Sequence, residues 1–174
     1  SCYTCHDDLY FHGGGRRGFA TCILCHGTSG PEDKPRYLNS TMGATPKVTV
    51  NYRTMLHKIH MGENLTNAST YTVNGNSAGT TFGEISFPVM PGGAMQCTKC
   101  HGIATVWTKP AFRGHPSAQV APVREWRAVC GACHDSDAAQ AHIDLMTSAS
   151  GLESCEVCHG SGKDYAVEVM HKAR

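Results

Sequence analysis

The chain has 174 residues, a formal net charge of +1, 19 glycines and only 7% aromatic residues. That length suits one domain; the near-neutral charge excludes a nucleic-acid footprint, and no apolar run approaches the length of a transmembrane segment. A polypeptide this rich in loops has difficulty filling a core with its own side chains, so another source of apolar volume is expected.

The chain opens at Ser1-Cys2 without a leader, as expected of a mature product or a piece of a longer one. Residues 1–26 carry two C-x-x-C-H motifs, Cys2-Tyr-Thr-Cys5-His6 and Cys22-Ile-Leu-Cys25-His26. Between them Gly13-Gly-Gly15 lacks the G-x-x-x-x-G-K-[ST] frame of a phosphate loop and reads as a flexible turn after His12. Residues 27–47 are rich in Gly, Pro, Ser and Thr and read as a loop. The stretch Asn51–Gly62, N-Y-R-T-M-L-H-K-I-H-M-G, then places Tyr52, Met55, Leu56 and Ile59 on one helical face, with Gly62 as a stop. His57 and His60 leave that helix from neighbouring points of one side. Thr70–Val73 and Glu84–Phe87 alternate like two short strands, read as a β-hairpin or an excursion on the surface. Motifs three and four are Cys97-Thr-Lys-Cys100-His101 and Cys130-Gly-Ala-Cys133-His134, joined by a connection containing Trp107, Phe112, His115 and Trp126. Short helices are expected over Val123–Val129 and over Asp137–Met146, the latter capped by Ser136 or Asp137. The last motif is Cys155-Glu-Val-Cys158-His159, followed by a helical pattern over Asp164–His171.

All ten cysteines lie in these five motifs, and a histidine follows every pair. C-x-x-C-H is the attachment signature of c-type haem: two thiols bond the porphyrin and the adjacent imidazole binds its iron. All-cysteine zinc sites use four ligands each, which leaves two cysteines over and every histidine unexplained. A disulfide framework suits C-x-x-C geometry poorly, and a thioredoxin-like motif lacks its βαβ context. Five haems c are therefore expected, held by Cys2, Cys5, Cys22, Cys25, Cys97, Cys100, Cys130, Cys133, Cys155 and Cys158, with His6, His26, His101, His134 and His159 as iron ligands.

Eleven histidines leave six beyond the motifs: His12, His57, His60, His115, His142 and His171. Five bis-histidine haems require five of them. The six residues from His6 to His12 span at most about 20 Å and would have to round a porphyrin edge to return to the same iron, so His12 is expected on a neighbouring haem. His57 and His60 are expected to serve two different haems, which makes their helix the organiser of the chain.

The C-H-x5-H-G-G run near the start, H-K-I-H-M-G, the haem-free region ending in F-P, W-R-A-V-C-G-A-C-H-D and C-E-V-C-H-G-S-G-x4-V-x2-M-H together resemble the OmcA/MtrC family of outer-membrane decahaem cytochromes. The resemblance covers one pentahaem half of such a protein. It implies that His12, His57, His60, His142 and His171 are the distal iron ligands and that His115 is the spare. It also implies electron transfer to metal oxides, flavins or partner cytochromes from an extracytoplasmic position, in the periplasm or on the cell surface.

The expected architecture is a single pentahaem cytochrome c domain over 1–174: irregular loops, short α-helices, a small β-hairpin and a core built from haems. The expected function is electron carriage along five bis-histidine haems. The alternative is a multihaem reductase with one open haem acting on a small oxyanion or metal ion. Cys2 and His171 lie close to the two ends of the chain, so exposed terminal haems are expected to meet other redox proteins or further copies of the chain, including an end-to-end filament.

Overall fold

A computed structural model describes residues 2–27, 48–74, 79–87, 97–101 and 125–171. The expected loop beyond Gly27, the connection containing Trp107, Phe112 and His115, and Val123 lie outside the described residues.

The first motif opens in a 3-10 turn, Cys2–Thr4, closed by bonds from the Cys5 and His6 amides to the Cys2 carbonyl (3.1 and 3.0 Å). Strands β1 (Tyr10–Phe11) and β2 (Arg16–Arg17) pair antiparallel, so the glycine run lies in the four-residue loop of a hairpin with two-residue strands. His12, Gly13 and Gly14 are all left-handed there, at φ 54, 72 and 82. Such a run needs glycine, and histidine is among the few side chains found in that region.

Helix α1 (Phe19–His26) carries the second motif, and α2 (Tyr52–Met61) is the expected central helix. Its C-terminal Gly62 has φ 45, and its N–H bonds the Lys58 carbonyl. A Cβ at Gly62 would lie 2.0 Å from the Ile85 carbonyl oxygen, the same oxygen that accepts from the Glu63 amide at 3.1 Å. Glycine is therefore required both for the turn and for the close approach of the returning chain.

The second hairpin differs from expectation in its return strand. Strand β3 (Thr72–Asn74) pairs with β4 (Gly79–Thr81), with Val73 opposite Thr80. Glu84–Phe87 is not a strand, although its sequence alternates. The pairing is taken by the nearer segment, and Ile85 is used instead to cross the end of α2. Val50, Leu65, Tyr71 and Val73 are buried together here, with Met55 and Ile59 of α2, Met61, Ala68 and Phe82 packed around them. The expected face of α2 is thus half realised: Met55 and Ile59 meet this cluster, whereas Tyr52 turns to the ring of Phe19 in α1 (centroids 5.4 Å apart).

The third motif forms helix α3 (Cys97–His101) and the fourth lies in α4 (Glu125–Cys133). The expected Val123–Val129 helix therefore runs on through the cysteines. Among the described residues the most extensive contact between helices is α2 against α4. Helix α5 (Asp137–Leu145) follows, with the Ser136 hydroxyl accepting from the Ala139 amide as cap. A short loop closed by a Thr147–Glu153 bridge leads to the fifth motif on α6 (Glu156–His159). Helix α7 (Val167–Met170) is shorter than the expected Asp164–His171, because residues 160–166 are held as turns by bonds from Lys163 to Gly160 and from Ala166 to Lys163. Among the described residues no helix is long and apolar enough to cross a membrane.

Candidate functional site

Each C-x-x-C-H motif adopts a helical turn. The first cysteine's carbonyl accepts from the histidine amide in motifs one, four and five, at 3.0, 2.8 and 2.9 Å. On such a turn residues i, i+3 and i+4 share a side. Both thiols and the imidazole therefore emerge together, as a tethered planar cofactor requires. None of the ten cysteines forms a disulfide. Burial pushes the Cys130 and Cys133 thiols up, to about 12 and about 11.

The motif histidines do not stand alone. The ring of His6 lies 6.2 Å from that of His60, centroid to centroid, and His26 lies 6.0 Å from His12. His101 faces His57 at 6.2 Å, His134 faces His171 at 6.0 Å, and His159 faces His142 at 6.3 Å. Five motif histidines thus meet five different partners, all from outside the motifs. His12 lies beside motif two, not its own motif one, and the two histidines of α2 face different motifs. His115 lies outside the described residues.

The elements explain these placements. The left-handed turn of the first hairpin carries His12 towards the end of α1, where His26 sits. Helix α2, held against α4 on one side and α1 on the other, offers His57 and His60 to two motifs at once. The His142 ring of α5 reaches α6, and His171, just past α7, reaches back to the end of α4.

Several rings are also oriented. The Nδ1–H of His57 donates to the Arg53 carbonyl at 2.7 Å, and that of His60 to the Leu56 carbonyl at 2.8 Å. His26 donates to Val50 (2.8 Å), His159 to Tyr165 (3.0 Å) and His171 to Val167 (3.1 Å) in the same way. A carbonyl only accepts, so Nδ1 carries the proton and Nε2 is left with its lone pair. Burial pushes the His57, His101 and His134 imidazoles below the ordinary histidine value, which favours the neutral, ligating ring.

The donor set can be tested against the group the motifs imply. With imidazole nitrogens about 2.0–2.1 Å from a shared metal ion on opposite sides, two ring centres stand roughly 6 Å apart. All five histidine pairs have that separation. Among the described residues no three or more His, Cys, Asp or Glu side chains converge as a metal cage. Two facing imidazoles at this separation would suit an iron held by a porphyrin, the group that the motifs imply.

Sequence reasoning missed three charged groups beside these pairs. Asp135, directly after His134, is buried and accepts from the Thr66 and Asn67 amides at 2.8 and 3.1 Å. Lys58, between the two histidines of α2, places Nζ 3.6 Å from Asp135 Oδ2. Glu153 Oε2 accepts from the Trp126 and Arg127 amides at 2.9 and 3.2 Å, capping the fourth-motif helix from the fifth-motif loop. Their only sequence signal is position: Asp135 and Glu153 lie beside a motif, and Lys58 lies between the two histidines of α2.

A search of curated proteins and a search of solved structures gave no match. The family model described as outer membrane cytochrome MtrC/MtrF-like, domains II/IV, matches residues 1–172. With nearly the whole chain matched, and with its motifs and paired histidines in place, the chain belongs to the MtrC/MtrF-like outer membrane cytochromes.

Proposed function

We propose that the chain is an electron carrier of extracellular respiration holding five bis-histidine c-type haems within a single domain, 1–174. Membership of the MtrC/MtrF-like family implies multihaem electron transfer in extracellular respiration. The observation that carries the finer reading is the set of five histidine pairs at 6.0–6.3 Å.

In this reading Cys2, Cys5, Cys22, Cys25, Cys97, Cys100, Cys130, Cys133, Cys155 and Cys158 provide the thioether attachments. The imidazoles that would hold each iron are His6 with His60, His26 with His12, His101 with His57, His134 with His171, and His159 with His142. A bound haem supplies a one-electron couple, and two imidazole ligands favour a low-spin iron with no open position. The residues supply the rest: the cysteines fix each attachment point, and the Nδ1–H bonds set ring direction. The short helices hold neighbouring motifs close.

An order along the conduit follows from the neighbours. Motifs one and two flank Tyr52, where Cys22 and Cys2 add to the effect of burial in raising the phenol to about 12. Motif one adjoins three, since α2 faces both, with His60 beside His6 and His57 beside His101. Cys97 of motif three neighbours Cys130 and Cys133 of motif four, and Cys155 of motif five neighbours Cys130. The order is two, one, three, four, five. The partners are other redox proteins or further copies of the chain, with metal oxides or flavins as acceptors, at an extracytoplasmic, surface-associated location.

Intact mass and EPR of the oxidised protein test this. The mass should exceed the polypeptide by five haems, and the iron should be wholly low-spin. Fewer haems, or a high-spin ferric signal of one haem or more, would refute it.

A further inference from the structure

Asp135 and Lys58 form an ion pair at the junction of α2 and the fourth motif, and its construction exceeds what a surface pair needs. The Asp135 carboxylate side chain is 6% exposed and that of Lys58 19%. Each carboxylate oxygen accepts a backbone amide, Thr66 on Oδ1 and Asn67 on Oδ2. The Asn67 Nδ2 donates to the Asp135 carbonyl at 2.7 Å, fixing the peptide that follows Asp135. The Lys58 ammonium is further steadied over the Tyr71 ring, 5.3 Å from its centroid. Two opposite charges are thus held nearly immobile and largely out of water, where their fields are weakly screened.

Sequence position places both charges at redox-active groups. Asp135 follows His134 and lies two residues from Cys133, while Lys58 adjoins His57.

We propose that Asp135 and Lys58 are positioning residues that act as a balanced charge pair on the fourth haem, setting its reduction potential while fastening α2 to motif four. This rests on the haem reading above. Reduction adds an electron, so a fixed cation nearby favours the reduced state and a fixed anion opposes it. Here the two effects offset each other. Removing either charge alone exposes the other in a site too dry to screen it.

The test is a redox titration of the holoprotein with each haem followed separately by NMR. Lys58→Met removes the charge at a similar side-chain length and leaves both amide bonds to Asp135 in place. It should shift the fourth haem towards the oxidised state, by severalfold in its reduction equilibrium. A tenfold change reads as about 59 mV for one electron. Asp135→Asn should shift the same haem the opposite way, and the double variant should return close to the parent. The second haem, whose ligands His26 and His12 neighbour neither residue in the sequence, should stay unchanged.

A purely structural role predicts loss of stability in all three variants with no opposed shifts, and that result overturns the inference. Should Asp135→Asn fail to fold, Lys58→Met decides alone: a fourth haem that does not move towards the oxidised state sinks the proposal. Intact mass separates the two levels of the argument. A haem missing from motif four in the parent protein refutes the haem reading, whereas a full complement with unmoved potentials refutes only the charge pair.

Discussion

His57 and His60 permit a quantitative test, because they sit on one helix yet face different motifs. His57 is nearly parallel to its partner His101, at 22°, and His12 is likewise parallel to His26, at 15°. The other three pairs are crossed: 81° for His6–His60, 61° for His134–His171 and 81° for His142–His159. Parallel imidazole planes add their effects on the iron d orbitals and give a rhombic low-spin spectrum. Crossed planes cancel and give a more axial one. Five bis-histidine haems with these angles should therefore show two rhombic and three axial components by integrated EPR. His57→Ala should convert one fifth of the iron to high spin and halve the rhombic component. His60→Ala should also convert one fifth, but at the expense of the axial component. The double variant should show two fifths high-spin iron, since the two sites share no partner ring. If both substitutions drain the same component, or if the double variant gives no more high-spin iron than either alone, α2 does not bridge two haems and the pairing is wrong.

Three further outcomes follow from the fold. Glu153→Ala removes a carboxylate that accepts two amides at the start of α4, and should cost about 2 kcal/mol of stability by helix capping and charge-assisted bonding; denaturant midpoints check this, and an unchanged midpoint refutes it. Gly62→Ala forces a side chain into a left-handed position at φ 45 with its Cβ 2.0 Å from the Ile85 oxygen. Strain and displacement together should cost roughly 2–5 kcal/mol, again read from denaturation, and a variant as stable as the parent contradicts the close approach. Finally, the one buried hydrophobic cluster found among the described residues centres on Val50, Leu65, Tyr71 and Val73. Chain made without haem attachment should therefore lack a cooperative unfolding transition by circular dichroism, and a sharp native-like transition would count against a haem-dependent fold.

The parts of the fold legible in the sequence are those governed by local rules. The α2 helix followed from its 3.6-residue pattern and its glycine stop, and α5 from Ser136 before a helical run. The first glycine run was readable as a turn, but nothing local indicated that the residues on either side of it would pair as strands. The second hairpin misled because Glu84–Phe87 alternates as a strand does. Alternation reports only that one face differs from the other. Which segment pairs with β3 was decided by the shorter connection to Gly79–Thr81 and by the use of Ile85 to cover Gly62.

The candidate site divides along the same line. The motif cysteines and histidines are contiguous, so the sequence alone named them. Two of the ring placements also agree with local geometry: the short reach from His6 to His12 set His12 apart from its own motif, and the shared side of α2 set His57 and His60 towards two motifs. The identity of each partner motif depends on how α2 packs between α1 and α4, which is a tertiary fact. Asp135 and Glu153 mark the limit more sharply. Each accepts backbone amides from segments far away in the chain, Thr66 and Asn67 in one case, Trp126 and Arg127 in the other. A carboxylate reveals such a role only when the donors are seen to arrive. Both join a motif to the element that must stay beside it, Asp135 tying motif four to the chain leaving α2 and Glu153 tying motif five to α4. Among the described residues, the long-range order of the site thus rests on a few buried polar bonds more than on a large side-chain core, in keeping with a chain of few aromatics and many glycines.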